Sequence, residues 1–329
     1  MNGAPSATRP RTLRAKDDLG RRTRARYEQG RHIMERPFAD HGRERSAGVP
    51  SHPAALATRV MAQLALGAVV LGCGRPHEHR EAAPSIPVAA AEAFDSPGTA
   101  APPPLESDPP IVPLAVPGYS DAVIAVPLGA RSRRPVVVAT HGLWDFPEGL
   151  CDNWRWIVGD RAWVLCPRGE PRPDKTFRYR SGPALAQEID AGIQALSDRY
   201  PGYVDAGPRT YAGFSLGASL GVWIVVHDPA RYPHAILTEG GEDRFTDAAA
   251  ATYARGGGQR VLFACGLKGR VDGATRAAHR LERAGVSAHV VLGKLPATGQ
   301  FIHWYNGPVA EETKAQLPWL FEGDAMWAE

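Results

Sequence analysis

The chain has 329 residues, of which 43% are hydrophobic and 22% charged, and its formal net charge is +3. That is ample material for a buried core, in one large domain or two small ones. The weak positive balance is uneven: arginines crowd residues 9–59, in a stretch rich in Pro, Gly and Ala with no sustained apolar period. It therefore says little about the rest of the chain and gives no ground for a nucleic-acid partner.

Residues 1–59 read as a disordered extension or as sequence upstream of the true translation start, in preference to an anionic-surface-binding arm. Residues 60–73 begin after Arg59 with an apolar run too short for an ordinary membrane span and end at Cys73. Val70-Leu71-Gly72-Cys73 resembles a bacterial lipobox, where small residues precede a cysteine that becomes the lipidated N-terminus of an exported protein. That resemblance implies a signal segment, lipidation at Cys73 and a membrane-anchored product, in the periplasm or at the cell surface; a start at Met34 or near Met61 gives it ordinary length. A buried helix ending in cysteine is the competing reading.

Residues 74–118 carry Pro84, Pro87, Pro97, Pro102-Pro-Pro, Pro109-Pro and Pro113 and read as a semi-extended tether. Three further cysteines follow, Cys151, Cys166 and Cys265. Export would permit a disulfide, with Cys151 and Cys166 the pair to test, while small buried hydrophobes are the equal alternative.

From residue 119 to 329 short apolar strands alternate with helical patterns, which predicts an α/β domain with a mostly parallel sheet and helices on both faces. Strands are expected at 122–127, 135–140, 162–166, 208–213, 234–238, 260–265 and 287–292. Helices are expected at 183–199, 216–227, 274–285 and 308–321. Leu185, Ile189, Ile193 and Leu196 share one face at helical spacing.

Gly213-Phe214-Ser215-Leu216-Gly217 sits between a strand and a helix and reads as a nucleophile elbow. A serine on that sharp turn projects its hydroxyl above the sheet, and flanking glycines let two backbone arms pass closely. A hydroxyl needs a neighbouring base, and His303, past the last strand, is the candidate; His141, His227 and His289 have structural readings. A carboxylate should complete the order Ser, acid, His. Asp272, after the strand ending at Cys265, leads, with Glu239, Glu242 or Asp243 after the preceding strand left open.

These features resemble the α/β-hydrolase superfamily, and within it the phospholipase/carboxylesterase group that includes acyl-protein thioesterases. The resemblance runs over roughly residues 120 to 322 and rests on Thr140-His-Gly-Leu-Trp-Asp145, the Gly213–Gly217 elbow and His303. It implies an oxyanion hole from the backbone N–H groups of Leu143 and Leu216. The family more often carries its acid at a Gly-x-x-Asp step, where this chain has Gly269.

The roughly twenty residues between the strands ending near Thr238 and starting near Arg260 are too few for a lid domain. The loop after 162–166 leaves the sheet edge where such folds bind ligands, so Arg178, Tyr179 and Arg180 are read as contacts for an anionic substrate, with a solvated basic loop as the alternative; Trp144, in the 140–145 loop, is read as a further substrate contact. No metal-ligand spacing, phosphate loop or dinucleotide fingerprint appears, so no cofactor is expected. The expected activity is cleavage of a small carboxylic ester or thioester by a Ser-His-Asp triad through an acyl-enzyme. A catalytically inert binding module and a peptidase of the same fold are the rivals.

Overall fold

The computed structural model describes residues 102–294 and 303–327. Residues 1–101, with the arginine-rich arm, the 60–73 segment and Cys73, lie outside the described residues. Ten strands are seen in these residues: β1 (Ile111–Leu114), β2 (Ala122–Ala125), β3 (Val136–Thr140), β4 (Trp163–Cys166), β5 (Glu170–Pro171), β6 (Phe177–Arg178), β7 (Thr210–Phe214), β8 (His234–Thr238), β9 (Arg260–Cys265) and β10 (Ser287–Leu292). The helices among them are α1 (Pro147–Val158), α2 (Gly182–Arg199), α3 (Leu216–His227), α4 (Asp247–Arg255), α5 (Lys268–Arg283), α6 (Pro308–Ala315) and α7 (Leu317–Leu320).

Eight strands form one sheet in the order β1-β2-β4-β3-β7-β8-β9-β10. β1 and β2 pair antiparallel, as do β2 and β4; every pairing from β4 through β10 is parallel. β5 and β6 make a separate two-stranded hairpin. The central strands are buried on both faces, which is why they read as unbroken apolar runs. Alternation along β3 divides the core, with Val136 and Val138 facing α2 and α3 while Val137 and Ala139 face α1 and α6.

The connection leaving β3 runs through α1 toward β4, while that leaving β7 runs through α3 toward β8 on the other side. The carboxyl ends of β3 and β7 therefore flank the point where winding reverses, the crevice in which open α/β sheets hold ligands. With its mostly parallel sheet, helices on both faces and a serine elbow after β7, the domain has the α/β-hydrolase fold.

All seven expected strands are present. The departures have local causes. β1 falls within the stretch read as tether, where its prolines mask a four-residue edge strand. α1 was not expected, although Leu150, Trp154 and Ile157 give it a buried face at helical spacing behind a Pro at its first position. α4, capped by the Thr246 side chain, is short and alanine-rich. α5 begins at Lys268 rather than 274, and the reason lies in the site.

Candidate active site

Ser215 occupies a backbone conformation with φ 52° and ψ −109°, one that non-glycine residues rarely adopt. Its neighbours leave no alternative. A Cβ on Gly213 would approach the Ala218 backbone to 2.6 Å, and one on Gly240 would approach the Ser215 carbonyl oxygen to 2.6 Å. A Cβ on Gly217 would collide with the carbonyl oxygen of Thr140. Further along α3, Gly221 lies flat on the Tyr211 ring. The Tyr211 hydroxyl lies 2.7 Å from Thr140 Oγ1 and donates to the Gly217 carbonyl at 2.8 Å. Glycine spacing thus lets α3 press on the sheet and hold the serine at its start.

His303 Nε2 lies 3.1 Å from Ser215 Oγ, and His303 Nδ1 lies 2.7 Å from Glu239 Oε2. With Nδ1 protonated toward the carboxylate, Nε2 is the acceptor facing the serine hydroxyl. The imidazole is 5.1 Å, centroid to centroid, from the Phe214 ring, which also packs on Tyr305 at 4.9 Å. The ring keeps a side open to solvent, with a side-chain exposure of 39%, whereas the Glu239 side chain is wholly buried.

Glu239 follows β8 directly and has φ 55°. Its Oε1 accepts hydrogen bonds from the backbone N–H groups of Gly266 and, at 2.9 Å, Leu267. Leu267 is the N-cap residue of α5 and offers no side-chain cap of its own. The Glu239 carboxylate thus sits at the positive end of that helix, bonded to the N–H groups of its N-cap residue and of the residue before it. The Lys268-Gly-Arg-Val-Asp-Gly273 segment, which reads as loop for its two glycines, is helix. Arg270, in the first turn of α5, sets its Nε 3.5 Å from Glu239 Oε2 and its Nη1 2.6 Å from Glu242 Oε1.

This geometry corrects the expected acid. Asp272 lies on the exposed side of α5 and makes no contact with His303; Glu239 occupies the position expected of it. Glu242 pairs with Arg270, and Asp243 lies 3.4 Å from Arg244 in an exposed pair. The chain order of serine, carboxylate and histidine is kept, with the acid one strand earlier.

The loop after β3 meets the elbow from the other side. The Gly217 N–H donates to the His141 carbonyl at 3.1 Å, and a Cβ on Gly142 would stand 2.9 Å from the Phe214 ring and 3.3 Å from Ser215 Cβ. Leu216 opens α3, so its N–H is among those a helix leaves without an intrahelical carbonyl. Leu143 follows the close-packed Gly142 and is 39% exposed. His141 is buried, its ring nitrogens facing the carbonyls of Gly142 at 2.7 Å and Arg168 at 2.9 Å, a packing role.

Tyr179 is not an exposed contact. It is 4% exposed, donates its hydroxyl to the Pro167 carbonyl at 2.8 Å and accepts from the His141 N–H at 3.2 Å, so it props the loop from beneath. Burial pushes its phenol well above the usual tyrosine range. Arg178 is on the surface of the β5–β6 hairpin, 3.8 Å from Glu170. Trp144 is 58% exposed. Cys151, Cys166 and Cys265 are buried free thiols, and burial pushes Cys265 up to about 12.

No family model matches the chain, and no curated protein matches it. Similar solved structures exist at low identity. A carboxylesterase from Mesorhizobium loti is 20% identical over 62% of this chain and 97% of its own, with a TM-score of 0.46. A Bacillus cereus carboxylesterase is 17% identical over 60% and 93%, with a TM-score of 0.44. An acylaminoacyl peptidase from Pyrococcus horikoshii is 14% identical over 64% of this chain and 40% of its own, with a TM-score of 0.43.

Proposed function

We propose that the chain is a serine hydrolase that cleaves a carboxylic ester or thioester through an acyl-enzyme. The observation that carries this reading is the continuous hydrogen-bonded line from Ser215 Oγ through His303 to Glu239, built on a serine held at φ 52°. Backbone strain at such a residue persists only where the surroundings enforce it, and here it aims the hydroxyl at a base.

In the first half-reaction Ser215 Oγ bonds to the acyl carbon as its proton passes to His303 Nε2. The carbonyl oxygen becomes an oxyanion, for which the Leu143 and Leu216 N–H groups are the proposed donors, worth about 3 kcal/mol each. The C–O or C–S bond to the leaving group breaks, and His303 returns the proton to that group. In the second half-reaction water loses a proton to His303 and adds to the acyl carbon; the bond from that carbon to Ser215 Oγ then breaks, His303 returns the proton to Oγ, and the acid leaves. Glu239 orients the ring and offsets the imidazolium charge.

Export and anchoring through a lipid on Cys73 are proposed with it, on the lipobox-like segment alone. The test of the chemistry is hydrolysis of p-nitrophenyl acetate and butyrate by the full chain and its Ser215→Ala variant, with fluorophosphonate labelling of both. Hydrolysis and labelling that vanish together in the variant support the reading. A folded chain that neither labels nor hydrolyses overturns it in favour of a binding module.

A further inference from the structure

Two costs coincide at Trp144. Its φ of 62° belongs to the left-handed region that suits glycine and that bulky side chains seldom enter. Its indole is 58% exposed and so gains little from burial. Neither is needed for the fold, since glycine at this position would meet the same turn without strain. A backbone outlier whose side chain is left largely exposed points to a role in function.

The surroundings say which role. Gly142 rests against Phe214 and Ser215, and Trp144 is two residues on, which limits their Cα separation to about 7.6 Å. The residue therefore stands in the loop that packs beside the serine. It is flanked by Leu143 at 39% and Phe146 at 45% exposure, so three of the five large apolar side chains exposed among the described residues stand in this one loop. The loop is braced. The Phe177 N–H donates to the Asp145 carbonyl at 3.2 Å, and the Phe146 and Phe177 rings meet edge to face at 6.1 Å. The Arg172 guanidinium stands 5.6 Å from the centre of the indole, a cation–π contact.

We propose that Trp144 is the seat for an aryl group of the substrate, which stacks on the indole while the ester carbonyl reaches Ser215. The proposal rests on the serine-hydrolase reading above and narrows it to aryl-bearing esters. A planar aryl group matches a half-exposed indole held by its backbone, because ring pairs add directional attraction to simple area burial. The aryl group can belong to the acyl or to the alcohol half of the ester. Leu143 and Phe146 supply the apolar flanks in either case.

The experiment uses the full chain, Trp144→Gly and Trp144→Phe. Rates are compared for methyl 3-phenylpropanoate against methyl butanoate, the acyl arm, and for benzyl acetate against ethyl acetate, the alcohol arm. In one arm the aryl-to-alkyl ratio of kcat/KM falls about tenfold in Trp144→Gly and is largely restored in Trp144→Phe. The arm that responds identifies the half of the ester. A glycine is compatible with the local backbone, so Trp144→Gly folds, and its melting temperature equals or exceeds that of the parent.

Binding is read separately, by saturation-transfer NMR of methyl 3-phenylpropanoate and benzyl acetate on Ser215→Ala with and without Trp144→Gly. That readout needs no turnover. Loss of transfer to the aryl protons upholds the seat even where the chain hydrolyses nothing and the serine-hydrolase reading has failed. An unchanged ratio in both arms, or aryl transfer indifferent to Trp144, overturns the proposal while leaving the chemistry of Ser215 untouched.

Discussion

Glu239 and His303 meet across 64 residues of sequence, Oε2 to Nδ1 at 2.7 Å, and the carboxylate is held on its other oxygen by the N–H groups that precede α5. A buried acid fixed on both sides orients the imidazole rather than trading protons with it. Glu239→Gln keeps the shape but removes the charge and offers the amide the wrong way, so kcat should fall about a thousandfold or more. Asp272→Asn changes an exposed side chain on α5 and should leave kcat within about twofold. Steady-state rates of the two variants on one p-nitrophenyl ester separate the candidates, and the reverse ranking would restore Asp272.

Arg270 shares its charge between Glu239 and Glu242. Its Nε stands 3.5 Å from the same Glu239 oxygen that faces His303, so it competes with the imidazole for the carboxylate. The arginine side chain is 36% exposed, which weakens the pair to about 1 kcal/mol. Arg270→Met should therefore reduce kcat about fivefold with KM little changed, the mark of a positioning residue. Arg270→Lys should recover part of the loss. A KM effect with kcat intact would assign Arg270 to substrate binding.

Strain at Ser215 is measurable as stability. Ser215→Gly relieves a φ of 52° but adds freedom to the unfolded chain, leaving a net gain of about 0.5–1 kcal/mol. For a domain of this size that raises Tm by about 1–4 °C while abolishing hydrolysis. Thermal denaturation of Ser215→Ala and Ser215→Gly side by side tests this: the glycine variant should be the more stable. Equal or lower stability would mean that the turn is not strained at that residue.

The elbow and the histidine were legible because their signals are local. Gly213 and Gly217 announce a close backbone crossing, and each is now matched to an atom that a Cβ would strike. The strands were legible for the same reason, since burial on both faces leaves continuous apolar runs. The acid was not, because what selects Glu239 over Asp272 is tertiary: the segment from Lys268 is helix and leaves Asp272 on its exposed side, while Glu239 is held at the start of that helix facing His303. Glu239-Gly240-Gly241 was a usable hint, a carboxylate at a strand end beside two glycines in a turn of positive φ at Glu239 and Gly241. Tyr179 was misread for a similar reason, its place beside two arginines on a polar loop concealing a ring buried under His141.

Glu188 on α2 carries a carboxyl group 7% exposed, with Oε1 accepting the Gly169 N–H at 2.8 Å. Burial raises its pKa above the ordinary glutamate value, and hydrogen bonds from the backbone of Gly169 and Arg168 offset only part of that. For an acid whose pKa is higher folded than unfolded, protonation favours the folded state. That contribution is fully present below the ordinary value near 4.5 and is lost as pH rises through the raised folded value. Glu188→Gln keeps an oxygen to accept from Gly169 but cannot ionise. The variant and the parent should therefore have similar stability near pH 4, with the variant gaining on the parent as pH rises to 7. Urea denaturation at both pH values gives the two differences directly. A difference that is the same at pH 4 and pH 7 would show that Glu188 does not titrate differently in the folded and unfolded chain.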